Sequence, residues 1–351
     1  MCARRETRGE TRVCVVGAGA AGVGVADALR DTGIGVTILE KSRGVCGRAA
    51  TRRRNGCRYD HGANYVKDDG GRTTELLRNL GTEGLVDIEE PVWTFDASGE
   101  IRPGDPERRE AHKWTWERGI TQFAKRVLDR TDATVRRETR VEGLDRADGA
   151  WHATDADGDD HGPFDAVVLT PPAPQTATLL GATTGAPTDD LRSAVDDVPF
   201  RTIRTLVLNY DFRLDRPWYA LVDREKAHPV GWVSREECKP GHVPDGESLL
   251  VVQMSPEWSM ARYDDPVDDA AADAADRVAD LVGDDRLRDP AWVDDQGWRY
   301  ALPDEGADRE RLRAGQDHGL LFAGDWVVGD GRVHAAFRSG VETGETVPDV
   351  V

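Results

Sequence analysis

The stretch Val13-Cys14-Val15-Val16-Gly17-Ala18-Gly19-Ala20-Ala21-Gly22 constrains the fold more than any other part of the chain. Val13 to Val16 read as a short, fully apolar strand. Gly17, Gly19 and Gly22 form a spaced triad, and Val23 to Arg30 carry a helical pattern. A second apolar strand, Val36 to Leu39, ends on Glu40, eighteen positions after Gly22. Each part has a mechanical task. The glycines let the backbone turn sharply and approach a pyrophosphate, the helix N-terminus offers N–H groups to it, and the acid accepts from a ribose hydroxyl. A glycine triad alone equally suits a tight turn in an ordinary α/β protein. The strand before it, the helix after it and Glu40 together select a dinucleotide site built on Gly17, Ala18, Gly19, Ala20, Ala21 and Gly22.

At 351 residues the chain is long enough for two domains and a sizeable core. Its formal net charge is −19, from 43 Asp and 22 Glu against 40 Arg and only 6 Lys. Dense, strongly hydrated carboxylates suit a protein kept soluble in concentrated salt, where their mutual repulsion is screened within a few Å. The one basic cluster is Arg52-Arg53-Arg54, which argues against a nucleic-acid partner. Five cysteines show neither pairing nor metal-ligand spacing, so no metal is expected, and Cys14 reads as inert core. No apolar stretch approaches membrane-spanning length and no signal peptide precedes the first strand. The expectation is a reduced protein of a high-salt cytoplasm with no membrane partner; the sequence fixes no oligomeric state.

Along the chain, residues 1–11 are polar and expected to be disordered. Residues 72–80 and 119–128 read as helices, the second with Ile120, Phe123, Ala124, Val127 and Leu128 on one face. Residues 134–170 turn to strands: Trp151 to Thr154 alternates, Asp157-Gly158 supplies a hairpin turn, and Ala166 to Leu169 is apolar. Asp155 to Asp160 lacks the spaced ligands of a calcium loop and reads as a solvated turn. Residues 205–210, 230–233 and 249–252 suggest one antiparallel sheet. Val267, Ala271, Ala274, Val278 and Leu281 mark a helix face whose Asp-rich side is solvated. Near the end, His318 to Asp325 reads as a strand closing on Gly-Asp. Gly329-Asp330-Gly331 then leads into a helix from about Arg332 to Thr346. The fold class expected is α/β: a Rossmann-type FAD-binding domain (11–66, 116–180 and 290–346) with an inserted antiparallel-sheet α+β substrate domain (67–115 and 181–289).

FAD is preferred over a nicotinamide cofactor for three reasons. The triad continues as Gly22-x-x-x-Ala26-x-x-Leu29, allowing close packing of helix on sheet. The basic, Gly-containing stretch after Glu40 suits a long cofactor. No second triad occurs, so whatever reduces the flavin meets it directly. With no cysteine after Cys238, the flavin is expected to be non-covalent.

Six segments carry a family resemblance: Gly17 to Glu40, Gly47-Arg48-Ala49-Ala50-Thr51-Arg52-Arg53, Tyr59-Asp60-His61-Gly62-Ala63-Asn64-Tyr65, Asp165 to Gln175, Gln296 to Pro303, and Gly324-Asp325 through Ser339-Gly340. In this order they resemble the renalase-type branch of the flavin-containing amine oxidase superfamily over nearly the whole chain. The resemblance implies a fold like hydroxybenzoate hydroxylase and the monoamine oxidases. It assigns the pyrophosphate to Gly17–Gly22, the adenosine ribose to Glu40, and the neighbouring phosphate and ribose region to Lys41 and Arg48, with Gly47 also in the cofactor site. Gly62, Ala63, Asn64 and Tyr65 would lie along the isoalloxazine, and Val141 would offer its backbone to adenine. Thr170 and Gly324 join the cofactor site, Asp325 would bind the ribitol, and the backbone at Val333 and His334 would meet the flavin N1 and C2 oxygen. A helix N-terminus there stabilises the reduced flavin's charge by roughly 0.3–2 kcal/mol. The sequence departs from the family at Cys46, which stands where the first of two adjacent glycines is usual.

The activity so implied is oxidation of dihydronicotinamide isomers of NAD(P)H by hydride transfer to flavin N5, with electrons passed to O2 as H2O2. The alternatives are a flavin amine oxidase acting on a small amine and a non-catalytic, redox-sensing FAD-binding module. Tyr65, Trp298 and Tyr300 are candidates to wall the cavity, or plain core. His334 and His61 admit an acid–base role or a structural one, and Arg299 either binds a substrate phosphate or makes a surface ion pair.

Overall fold

The computed structural model describes residues 11–68, 70–105 and 111–351. Residues 1–10, where disorder was expected and where Cys2 falls, lie outside that set, as does part of the expected 67–115 segment. The chain forms two compact units: Met1–Gly47 with Ala124–Pro199 and Pro303–Val351, and Arg48–Phe123 with Phe200–Leu302.

The first unit is built on a five-stranded, all-parallel sheet. Its spatial order is Thr134–Arg136, Gly35–Leu39, Arg12–Val16, Ala166–Leu169, Leu320–Phe322. In chain terms this is 3-2-1-4-5, the doubly wound order, which reverses at Arg12–Val16. The apolar runs of the sequence supply its centre: Val13, Cys14, Val15, Ala166, Val167, Val168 and Leu169 are wholly buried. Burial pushes the Cys14 thiol up to about 12, so it stays protonated.

The opening helix spans Ala20–Leu29, starting earlier than its apolar pattern suggests because Gly19 serves as the extended N-cap. The last long helix, Val333–Thr346, packs against it. Small residues set that approach: a Cβ on Gly24 would stand 2.4 Å from the Phe337 carbonyl oxygen, and one on Gly340 only 1.9 Å from that of Ala21. The strand expected at 318–325 is only Leu320–Phe322, because Gly319 turns left-handed and Asp325 opens a short helix.

A four-stranded sheet completes this unit, with Val141–Ala147, Ala150–Asp155 and Asp160–Phe164 as its meander. The Asp157-Gly158 hairpin is present, but its first carboxylate is not solvated. Asp155 is buried; it accepts from the Asp157 and Asp159 amides at 3.0 Å and meets His161 Nε2 at 2.8 Å.

The second unit centres on a seven-stranded sheet, ordered Trp292–Pro303, Phe200–Tyr210, Ser248–Met254, Val230–Arg235, Ala220–Asp223, Val92–Phe95, Ile101–Arg102. It is mixed rather than purely antiparallel, since Val92–Phe95 pairs parallel with Ala220–Asp223. Period-two alternation divides its two faces. Leu206, Leu208, Leu250 and Val252 join Ala271, Ala274 and Val278 of helix Val267–Val282 in one core. Val207, Leu249 and Val251 turn to the other face, against Cys57 and Tyr59. The helix's Asp-rich side is only partly solvated: Asp273 accepts from Trp258 Nε1 and Arg277 Nε, both at 2.7 Å.

The hairpin Thr51–Arg54/Cys57–Asp60 and all of the strand Trp292–Pro303 but its last residue belong to this second unit. Residues 48–66, 116–123 and 290–302 therefore pack there, although the sequence groups them with the FAD-binding segments; residues 181–199 pack in the first unit. The helix expected from Gly119 begins only at Gln122, because Gly119 stands at φ +87°, outside helical geometry; the Ile120 amide that follows donates to Asp60 Oδ1 at 2.9 Å.

Candidate functional site

In the first unit the glycine turn sits at the sheet's reversal point, where doubly wound folds bind ligands. Gly17 has φ +100°, in the left-handed region, and its amide donates to the Leu39 carbonyl at 2.8 Å. A Cβ on Gly22 would lie 2.0 Å from the Gly17 carbonyl oxygen, so only glycine lets the helix start against the turn. At Gly19, by contrast, a Cβ would meet nothing within 4 Å, and no side chain caps the helix. The turn thus presents open space in front of a helix N-terminus, the shape and partial positive charge a pyrophosphate needs. Thr170, on the neighbouring strand's end, donates its hydroxyl to the Val16 carbonyl at 2.8 Å.

Glu40 is buried, and both carboxylate oxygens accept backbone amides: Ala18 on Oε2 and Ser42 on Oε1, each at 2.7 Å. It braces the glycine turn from the second strand, a task its spacing in the sequence does not reveal. The Thr139 amide donates to the Glu40 carbonyl at 2.9 Å, so the stretch leading into Val141 runs beside it. Lys41 is exposed and meets Gln175 Oε1 at 3.5 Å. Cys46 has φ +83° and is buried; its amide donates to the Ala18 carbonyl at 2.8 Å. The residue that departs from the family pattern therefore occupies a glycine's conformation. Gly47, also left-handed, follows it toward Gly19.

Beyond the C-terminal end of Leu320–Phe322, at the same edge of the parallel sheet as the glycine turn, Asp325 is buried just after Gly324. The helix Val333–Thr346 begins with Arg332 as an extended N-cap and no side-chain cap, so the Val333 and His334 amides sit in its first turn. His334 is buried, with Nε2 3.8 Å from Asp330 Oδ2.

In the second unit, the segment Tyr59–Tyr65 is clamped through its backbone. The His61 carbonyl accepts from Trp298 Nε1 at 3.1 Å and the Gly62 carbonyl from Gln253 Nε2 at 2.7 Å. The Ala63 amide donates to the Arg48 carbonyl at 3.0 Å. Arg48 in turn donates to the Ala301 carbonyl at 2.8 Å. His61 stacks on Trp298 with ring centroids 5.4 Å apart and planes at 15°. Burial, aided by the Arg52 charge, lowers the His61 pKa to about 4, so the ring is neutral near pH 7.

Tyr65 meets Tyr219 at 6.3 Å and Trp232 at 6.4 Å between ring centroids. Tyr300 sits edge-on to Phe200 at 6.0 Å. Alternation along Trp292–Pro303 puts Asp294, Gln296 and Trp298 on one face, contacting Tyr59, Arg52 and His61. Asp295, Gly297 and Arg299 fall on the other, contacting Arg204 and Tyr263. Arg299, stacked 4.2 Å over Tyr263, is thereby separated from Trp298.

Sequence reasoning missed the most strongly charged feature of this unit. Asp60, Glu236, Lys239 and His242 are all buried together. Lys239 Nζ lies 3.1 Å from Asp60 Oδ2 and 2.7 Å from Glu236 Oε1, and His242 Nδ1 lies 3.0 Å from Glu236 Oε2. Asp60, Glu236 and His242 have the geometry of a three-ligand metal group, but the Lys239 ammonium already faces both carboxylates. The one signal in the sequence was a lysine in a chain with 40 Arg and only 6 Lys.

A glycine turn at the reversal point of a 3-2-1-4-5 parallel sheet in one unit, and a large mixed sheet in the other, make a two-unit architecture with a dinucleotide-type turn. Residues 15–80 match the NAD(P)-binding Rossmann-like domain family, and residues 107–347 match the flavin-containing amine oxidoreductase family. The chain belongs to the flavin-containing amine oxidoreductase family, and FAD is its cofactor.

Solved structures share its fold at low identity. A putative protoporphyrinogen oxidase from Exiguobacterium sp. 255-15 superposes with a TM-score of 0.76 at 15% identity, covering 96% of this chain and 98% of that one. A redesigned triple mutant of putrescine oxidase gives 0.75 at 14%, covering 97% and 99%. A CLA-producing fatty acid isomerase from P. acnes gives 0.68 at 15%, covering 96% and 98%. Three different reactions on one fold mean that fold alone does not choose the substrate.

Proposed function

We propose that this FAD-dependent oxidoreductase oxidises dihydronicotinamide isomers of NAD(P)H by hydride transfer, with O2 as acceptor and H2O2 as product. The carrying observation is the flat, half-buried Trp298, backed by the parallel ring of His61 and bonded to the segment that ends in Tyr65. Such a wall suits a planar ring stacked in one orientation. Bound FAD supplies the hydride-accepting N5.

The chain's own groups bind and orient. Gly17–Gly22 and the Ala20–Leu29 N-terminus hold the pyrophosphate, Glu40 the adenosine ribose, Val141 the adenine and Asp325 the ribitol. Lys41 and Arg48 would hold the adjoining phosphate and ribose region, with Gly47, Thr170 and Gly324 also in the cofactor site. The first-turn amides of Val333 and His334 would face the ring and favour negative charge on it. Gly62, Ala63, Asn64 and Tyr65 would lie along that ring, and Tyr65, Trp298 and Tyr300 would wall the substrate. With its ring held neutral, His61 serves as packing and not as an acid.

The competing reading is oxidation of a small amine, favoured by the likeness to putrescine oxidase. Anaerobic mixing in concentrated salt with a panel of dihydronicotinamide isomers and amines separates the two. Rapid bleaching of flavin absorbance by the isomers and not by amines is expected; bleaching by amines alone overturns the proposal. We place the protein in a high-salt cytoplasm, on the strength of its −19 charge and Asp excess. Its melting temperature is expected to fall as salt is diluted, and a constant value rejects that placement.

A further inference from the structure

Forty of the 46 basic residues are arginine, yet the one basic side chain wholly enclosed among the described residues is a lysine, Lys239. An ammonium is a compact point charge, where guanidinium is a flat fork. The space available here is that of a point charge: Nζ lies 3.1 Å from Asp60 Oδ2, 2.7 Å from Glu236 Oε1 and 5.8 Å from the centre of the Tyr219 ring.

The surrounding hydrogen bonds fix the charge count. Asp60 Oδ1 accepts from the Thr51 hydroxyl and the Ile120 amide, and Oδ2 from the Thr115 hydroxyl as well as Lys239. It is a saturated carboxylate. His242 Nε2 lies 3.0 Å from the Trp116 carbonyl, which only accepts, so Nε2 carries hydrogen. Nδ1 faces Glu236 Oε2 at 3.0 Å, so one proton is shared across that contact. On either partner, the four groups sum to zero, and the cluster is tolerable inside the protein only while Lys239 is present.

What the cluster holds is the segment Asp60–Tyr65, from both ends. The Asp60 amide donates to Glu236 Oε2 at 3.1 Å, and its carbonyl accepts from Asn64 Nδ2 at 2.7 Å. At the other end, the Tyr65 ring rests edge-on against fully buried Tyr219, whose face lies under the ammonium. We propose that Lys239 is a positioning residue for hydride transfer, its ammonium tying Asp60 directly and Tyr65 through Tyr219, so that the segment between them keeps one geometry. The proposal rests on the reading of Gly62–Tyr65 as the ring-facing segment and not on the identity of the reductant.

The test uses the full-length, FAD-loaded protein in concentrated salt. Lys239→Met alone leaves a net negative buried cluster and is expected to melt well below wild type. The pair Asp60→Asn with Lys239→Met restores a zero charge sum (Asn, Met, and the Glu236–His242 proton pair) and is expected to fold and keep its FAD. In that pair the visible circular dichroism of bound FAD changes. Flavin reduction at saturating reductant slows by about tenfold or more with little change in half-saturating concentration, as a displaced wall would cause. Tyr219→Leu reproduces the dichroism change with no charge altered. Tyr219→Phe leaves it as in wild type, since the Tyr219 hydroxyl has no hydrogen-bond partner among the described residues. A charge-balanced pair with wild-type dichroism and reduction rate overturns the proposal and leaves Lys239 a purely structural ion. The dichroism answers whichever reductant bleaches the flavin, or if none does; bleaching by amines alone overturns only the substrate reading.

Discussion

The glycine turn of the first unit and the Tyr59–Tyr65 segment of the second both hold a stretch of backbone still, by opposite means. Residues 17–22 are fixed chiefly by what they lack: a Cβ on Gly22 would stand 2.0 Å from the Gly17 carbonyl oxygen, and without one the helix can start against the turn. Residues 59–65 are fixed by what surrounds them, a buried lysine, two acids and a histidine drawn from positions 60 to 242. A backbone-built site is compact in sequence and leaves room for a ligand. A charge-built site is scattered in sequence, fills its own space, and depends on every member being present.

The sharpest way to break the comparison is to remove one member of the charged set. Asp60→Ala leaves Lys239 without its saturated carboxylate and strands the Ile120 amide and two hydroxyls. A loss of about 3–5 kcal/mol is expected, the usual cost of breaking a buried pair, read as the shift in urea midpoint at pH 7. Burial raises the Asp60 pKa, but the Lys239 and His242 charges and the Thr51 and Ile120 hydrogen bonds outweigh it and hold it below the usual range. Its contribution is therefore present above the unfolded carboxylate value of about 4 and disappears as pH falls through the depressed folded value. A midpoint shift under 1 kcal/mol would show that the cluster is not the segment's anchor.

The glycine turn allows a finer cut, because two of its glycines differ in what surrounds them. Gly22→Ala must displace backbone and is expected to cost about 1–3 kcal/mol or more, with loss of bound FAD. Gly19→Ala meets nothing within 4 Å and has φ −71°, so the ligand-free protein should melt within about 1 °C of wild type. Only its FAD affinity should fall, measured by fluorescence titration, because the new methyl occupies the space assigned to the pyrophosphate. Unchanged affinity in Gly19→Ala would move the phosphate elsewhere.

This difference explains how much of the molecule is legible in its sequence. The strands Val13–Val16, Val36–Leu39 and Ala166–Leu169 are apolar throughout because a parallel sheet covers both faces, so they stand out as runs. Trp292–Pro303 does not: its twelve residues alternate polar groups to both faces, and only the structure separates Trp298 from Arg299. The parallel pairing of Val92–Phe95 depends on a partner far along the chain, Ala220–Asp223. The bracing of Ala18 by Glu40 lies within one motif, but it is a side-chain contact, and spacing alone shows only that an acid is there.

A third prediction sharpens the same contrast through His61, the residue next to Asp60. Burial, with the Arg52 charge, lowers its pKa to about 4, so the folded protein keeps the ring neutral while the unfolded chain binds a proton below about 6.5. The unfolded state then holds more protons between those values, and stability falls as pH drops through that window, by of order 1–2 kcal/mol between pH 6.5 and 5. His61→Phe keeps a ring against Trp298 and removes the titration, and Nδ1 has no hydrogen-bond partner among the described residues to lose. Its midpoint should flatten over the window; an unchanged slope would assign the acid sensitivity to other groups.

The smallest expected effect lies at Cys46, where the glycine turn meets a residue that is not glycine. At φ +83° its Cβ is strained, and its amide is committed to the Ala18 carbonyl, so the backbone cannot relax without disturbing the turn. Cys46→Ala and Cys46→Gly both remove the buried thiol, so comparing them isolates the backbone. Glycine ordinarily loses to alanine by roughly 0.5–1 kcal/mol through its greater freedom when unfolded, whereas a left-handed Cβ costs roughly 1–2 kcal/mol. The second term is larger, so the glycine variant should melt above the alanine variant by a degree or a few, equivalent to about 0.5–1 kcal/mol. The order would reverse if the turn could shed its left-handed residue, and then the Ala18 carbonyl would lose the Cys46 amide, leaving the Glu40 carboxylate as the remaining brace on Ala18.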